Sequence, residues 1–154
     1  MKLRVLDSLQ ELTALVQRRD RLFIRWSRGP GIDLGATAYS CDDLTGVPLP
    51  GLSASPLHVE PWWDGRPVRL WVARRLYDYS HLRWEKGPGV HPWLLEGREI
   101  GRGPDNEPLV DRVRPVARVS ERVIDEAERE IRSQPHAWGP LRRPLAWRPP
   151  LPRR

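Results

Sequence analysis

Three prolines within eleven residues, Pro48, Pro50 and Pro56, set the first limit on what this chain can fold into. Proline has no backbone N–H to give to a sheet ladder, so residues 47–57 cannot form a central strand. They must be a sheet edge or a loop. Apolar residues (Leu49, Leu52, Leu57) hold the stretch in place, yet Ser53 and Ser55 lie within it, two positions apart. A period of two puts both hydroxyls on one face of an extended segment. Two such hydroxyls suit a polar site or a tight turn.

Elements with clear periodicity flank this stretch. Leu9, Leu12, Leu15 and Val16 recur at helical spacing behind Asp7-Ser8, which predicts a first helix over residues 8–19 with Ser8 as its cap. Residues 22–28 read as a strand. Leu22, Ile24 and Trp26 share one face, and Phe23, Arg25 and Ser27 share the other, until Gly29-Pro30-Gly31 stops it. Residues 32–47 read as loop and Trp62–Gly65 as a turn. In residues 67–80 Val68, Trp71, Val72, Leu76 and Tyr79 fall on one helical stripe, with Arg69, Arg74 and Asp78 off it. Residues 85–92 form a Gly/Pro loop. Short strands follow at 93–96 and 98–100 around Gly97, then a dense turn signal at 101–107 and strands at 108–110 and 113–119. Ser120 caps a last helix over residues 121–133. Short strands mixed with about three helices predict a small α+β domain over residues 1–133. Residues 134–154, rich in Pro, Arg and Trp, read as an arm or a disordered tail.

A chain of 154 residues is one domain by length. Its formal charge is +6, carried almost wholly by arginine, since Lys2 and Lys86 are the only lysines. That balance fits an anion-binding surface for phosphate or nucleic acid as well as a plain compositional bias. One cysteine, Cys41, leaves no internal disulfide, and four scattered histidines show no metal-ligand spacing. The start of the sequence lacks a signal-peptide pattern, and no stretch approaches the ~20 apolar residues of a membrane span. A soluble cytoplasmic protein is the expectation.

The chemistry-bearing motifs are few. Cys41 stands beside Asp42 and Asp43, whose charges disfavour a thiolate. No nucleophile elbow and no P-loop lysine is present. What remains is an ordered set of polar residues: Arg25 in the first strand, Ser53 and Ser55 in the proline-rich stretch, and Asp105 and Glu107 before the last strands. An arginine can grip a phosphate, a hydroxyl can orient a ribose, and a carboxylate can stabilise an oxocarbenium-like transition state. The bland readings are an ion-paired strand arginine, turn hydroxyls and a Pro-Asp-Asn turn.

Two resemblances attach to these residues. From Leu22 to about Arg142 the chain resembles a family of small uncharacterised proteins from GC-rich bacteria. Phe23–Pro30, Asp43–Gly46, Leu49–Ser53 and Gly101–Val110 carry the likeness. The order strand arginine, Ser-x-Ser, acidic-x-Glu is also similar to the arginine–serine–glutamate pattern of mono-ADP-ribosyltransferases. That second resemblance implies NAD as cofactor and Glu107 as the catalytic glutamate. Arg25, Ser53 and Ser55 would contact NAD, with Arg28 as a competitor of Arg25 and with Trp26 and Tyr79 as further contacts. The chain departs from the pattern at Pro56, which follows the second serine, and at Asp105, which is shorter than the usual residue there. The alternative is a non-catalytic basic module that engages an acidic nucleic acid or protein. A third reading is a small protein acting on an anionic metabolite in a pocket of Trp and Arg. Oligomeric state is not legible.

Overall fold

In the computed structural model the described residues are 2–34, 49–63, 65–78, 80, 87–104 and 106–134. They form an α+β fold: one mixed sheet of six strands with three longer helices on one of its faces. The elements in order are β1 (Arg4–Leu6), α1 (Leu9–Arg18), β2 (Leu22–Ser27), a single turn α2 (Pro30–Asp33), β3 (Leu52–Ser53) and β4 (Ser55–Pro56). A 3-10 turn (Pro61–Trp63) leads into α3 (Val68–Asp78), followed by β5 (His91–Arg102), β6 (Pro108–Val119) and α4 (Glu121–Arg132).

The strand order is β1-β6-β5-β2-β4, antiparallel except for β1, which runs parallel to β6. β3 pairs with β6 on the edge that β1 also uses. Residues 52–56 therefore bond to β6 at one end (Ser53 opposite Leu109) and to β2 at the other (Ser55 opposite Ile24). β2 and β6 are not sheet neighbours, so one short segment joins two separated strands and closes a curl in the sheet. Pro50 and Pro56 help confine this segment to two-residue pairings.

The alternation expected for β2 holds. Leu22, Ile24 and Trp26 join the helix-side core with Leu9, Leu12, Trp71, Leu76, Leu94 and Val123. Phe23 faces the other way, into a smaller core with Leu52, Ala54, Trp93, Leu95 and Val110. Strand alternation puts Arg25 and Ser27 on that side too.

Several expectations change. His91–Arg102 and Pro108–Val119 are two continuous twelve-residue strands, not short pieces. Gly97 does not break β5. A Cβ there would lie 2.3 Å from Val110 Cγ1, so glycine lets the two strands close on each other. The ladder absorbs its irregularities as bulges, with register shifts at Leu94/Leu95, Glu96/Arg98 and Glu99/Gly101. The turn after β5 follows its signal. Gly103 N–H donates to the Glu107 carbonyl at 2.8 Å, Asn106 N–H donates to the Gly103 carbonyl at 2.9 Å, and Asn106 has φ 62°. That is a three-residue hairpin loop with its bulge residue in the left-handed region.

Gly29-Pro30-Gly31 ends β2 but opens α2 where loop was expected. α3 is buried nearly all round. Arg74, assigned by periodicity to the polar side, is buried together with Arg75. α1 is capped as expected, the Glu11 N–H donating to Ser8 Oγ at 3.1 Å. Glu126 of α4 accepts the Leu9 N–H at 3.1 Å, and Arg69 of α3 pairs with Glu130 at 3.2 Å. No helix among the described residues is long and apolar enough to cross a membrane.

Candidate functional site

Arg25 points into the smaller core from the middle of β2 and is the centre of a polar cluster. Its Nε donates to Asp33 Oδ2 at 2.7 Å, and its Nη1 donates to the Ser53 carbonyl at 2.7 Å. The Arg25 and Asp33 side chains are 13% and 11% exposed. Ser27 Oγ donates to the same carboxylate oxygen. It accepts from Trp93 Nε1 at 2.8 Å and from the Gly29 N–H at 3.2 Å. One donated and two accepted bonds fill the capacity of that hydroxyl. The cluster thus ties α2 to β2, β2 to β5 across the Arg25–Trp93 pair, and β2 to the closing segment through Ser53.

Asp33 was not singled out in the sequence. The signal available was indirect. An arginine on an apolar strand face needs a carboxylate, and Asp33 is the first one after the Gly-Pro-Gly turn.

The other site candidates divide. Ser53 and Ser55 do share a face, since Leu52 and Ala54 between and beside them are buried in the smaller core while both serines are half-buried. The hydroxyls consequently lie on the side away from that core, and it is the Ser53 backbone carbonyl that takes the Arg25 guanidinium. Ser53 faces Leu109 across the β3–β6 ladder, and Glu107 stands two residues before Leu109, in the turn that leads into β6. The Glu107 carboxyl lies over the hairpin tip. A Cβ built on Gly103 would meet its Oε1 at 1.8 Å. Trp26 is 2% exposed in the helix-side core, on the face opposite Arg25. Arg28 is exposed beyond the strand end, its Nε donating to the Pro88 carbonyl at 3.4 Å. Tyr79 and Asp105 lie outside the described residues, as do Cys41 and the C-terminal arm.

Elsewhere the cations of the fold are mostly matched. Glu96 is held between Arg114 and Arg19. The Arg114 hydrogen bond is the main cause that draws the Glu96 carboxyl below the ordinary glutamate range. Partial burial opposes it and Arg19 adds to it. Arg98 makes a two-pronged contact with Asp111 at 3.1 and 2.8 Å. Among the described residues no group of three or more His, Cys, Asp or Glu side chains could hold a metal ion.

The sequence profile of a family described as "Family of unknown function (DUF6098)" matches residues 1–139. The chain belongs to this family. The match takes in every described element from β1 to α4 and stops short of the arginine-rich last fifteen residues. No curated protein and no solved structure matches the chain.

Proposed function

We propose that the protein is a non-catalytic binding module that engages an acidic macromolecule through its C-terminal arm, with the family domain as the folded base. One observation carries this reading. Residues 140–154 hold five arginines and no carboxylate, so five of the six net positive charges lie there and the rest of the chain carries +1. The domain's own charge pattern supports it, because buried Arg25 is neutralised by Asp33 and strand arginines such as Arg98 and Arg114 are paired with carboxylates. The test compares the full chain with a chain ending at residue 139, binding duplex DNA across a salt series. Five phosphate contacts give a slope of log K against log salt of about −4.5 and a loss of roughly 500-fold between about 50 and 200 mM. Equal binding by the truncated chain, or binding indifferent to salt, would overturn the nucleic-acid form of this reading.

A second reading, an ADP-ribosyltransferase-like NAD domain, draws on one arrangement: Arg25 bonds to the Ser53 carbonyl, and Glu107 stands two residues before Leu109, the ladder partner of Ser53. Arg25 would grip NAD, Ser53 would orient it, and Glu107 would stabilise the ribosyl cation as nicotinamide leaves. The Arg25–Asp33 pair has to open for this to happen, and the Ser53 hydroxyl, on the side away from the core that Arg25 enters, has to turn toward the cofactor. Incubation with NAD, followed by measurement of binding and of nicotinamide release in the wild type and in Glu107→Gln, decides it. Neither binding nor release by the wild type removes the reading.

A further inference from the structure

A second arginine has an environment that the binding arm and the Arg25 cluster do not use. Arg75, on α3, has a side chain only 9% exposed. Its guanidinium lies 4.6 Å over the Trp71 ring. Trp71 in turn packs edge-on to Trp62 and Trp63, with both pairs of ring centroids 5.4 Å apart. Burying a guanidinium is costly unless acceptors meet its N–H groups. Arg75 is poorly met. Among the described residues its buried Nε has no hydrogen-bond partner, and its one carboxylate neighbour, Glu60, approaches Nη2 only to 3.7 Å.

Glu60 is 38% exposed, and its other oxygen accepts from the Trp62 indole N–H. The neighbouring indoles are committed elsewhere, Trp63 Nε1 to the Pro67 carbonyl at 3.1 Å and Trp71 Nε1 to the Leu57 carbonyl at 3.0 Å. The donors that converge on the Glu60 carboxylate are therefore the Arg75 guanidinium and the Trp62 indole. The Nε–Nη edge of a guanidinium is shaped to take two oxygens of one oxyanion side by side. Glu60 does not fill that edge.

The geometry points to Arg75 and Trp62 as a binding site for a small oxyanion, a carboxylate or phosphoryl group, in which the Glu60 side chain is the resident occupant that an incoming oxyanion displaces. Glu60 is far more exposed than Arg75 and sits on the 3-10 turn's leading edge, so it can swing out while the Arg75–Trp71 stack stays in place. The entering anion makes the two-pronged contact with Nε and Nη2 that Glu60 does not make, and it accepts the Trp62 N–H in its place.

The test uses the full chain, with inorganic phosphate, acetate and chloride as separate titrants. The signals followed are the Arg75 Nε–H and the Trp62 indole N–H in nitrogen–proton correlation spectra. Both signals shift saturably with phosphate or acetate in the wild type. In Glu60→Gln, which removes the competing charge from a partly exposed position, binding tightens about five- to tenfold. Arg75→Lys loses the Trp62 response. A larger response to phosphate assigns a phosphoryl ligand, and a larger one to acetate assigns a carboxylate. Binding no tighter in Glu60→Gln than in the wild type overturns the proposal, as does an equal response to chloride. Should Arg75→Lys fail to fold, the Glu60→Gln comparison decides alone.

Discussion

The ion pair between Arg25 and Asp33 makes the sharpest prediction about how the fold is held. Removing the carboxylate with Asp33→Ala takes the paired charge from a nearly buried guanidinium, and it deprives Ser27 Oγ of its acceptor. Breaking one side of a buried pair costs about 3–5 kcal/mol. The pair's residual exposure, 13% and 11%, lowers this toward about 2–4 kcal/mol. Arg25→Met orphans the carboxylate instead and costs a similar amount. If the cost comes from the charge left behind, the double variant is far milder than the sum of the singles. A coupling of about 1.5–3 kcal/mol is expected. Urea unfolding of the four proteins at constant slope measures it. The two singles also differ in kind. Arg25→Met releases the Ser53 carbonyl, so the Ala54 N–H, bonded to the Pro108 carbonyl at 3.2 Å, exchanges faster, whereas Asp33→Ala leaves it protected. Additivity within about 0.5 kcal/mol would refute the reasoning, because the pair would then be two independent contacts.

Three other outcomes are expected. Gly97→Ala, whose Cβ would lie 2.3 Å from Val110 Cγ1 and 2.8 Å from the Asp111 carbonyl, destabilises by about 1–3 kcal/mol in the same unfolding assay. Arg112→Gly does the opposite. Arg112 sits in β6 at φ 52°, a strain of about 1–2 kcal/mol for an L side chain against about 0.5–1 kcal/mol of extra chain entropy for glycine, so the midpoint of thermal unfolding rises by roughly 1–4 °C. Glu96, with its pKa lowered chiefly by Arg114, contributes stability that is complete above the ordinary glutamate range and is lost as pH falls through its lowered value. An acid titration of unfolding free energy therefore shows a step in that window, and Glu96→Gln flattens it.

The helices were legible because their apolar spacing is set by the same face that packs. Leu9, Leu12, Leu15 and Val16 are all buried, as are Val123, Ile124 and Ala127. The two faces of β2 were legible for the same reason at a period of two. Where reading failed, a residue's usual meaning was reversed by a partner distant in sequence. Gly97 signals a break until Val110 is seen to need the space. Arg74 signals a solvated face until Asp78 and the Tyr77 ring are seen beside it. β1 gave no signal, since three residues that owe their pairing to β6 more than a hundred positions later carry no pattern of their own. At the candidate site the order Arg25, Ser53, Glu107 was visible, but Asp33, the carboxylate paired with Arg25, was not. The face that the serine hydroxyls occupy follows from the register of residues 52–56 between two strands, which no local pattern encodes.

The parallel pairing of β1 with β6 has a consequence for how the chain is made. Leu6 and Leu9 receive their partners from Ser120 and Glu126, and the first of these is built only after another hundred and more residues. At ribosomal rates of roughly 5–20 residues per second, about 6–20 s pass between the emergence of α1 and that of α4, one of the two helices packed against it. During that interval β2 and α3 are present to cover part of the apolar stripe of α1, and the share that belongs to α4 stays open. β1 and the start of α1 are thus the last parts to be secured, and synthesis halted before residue 119 leaves β1 without its strand partner.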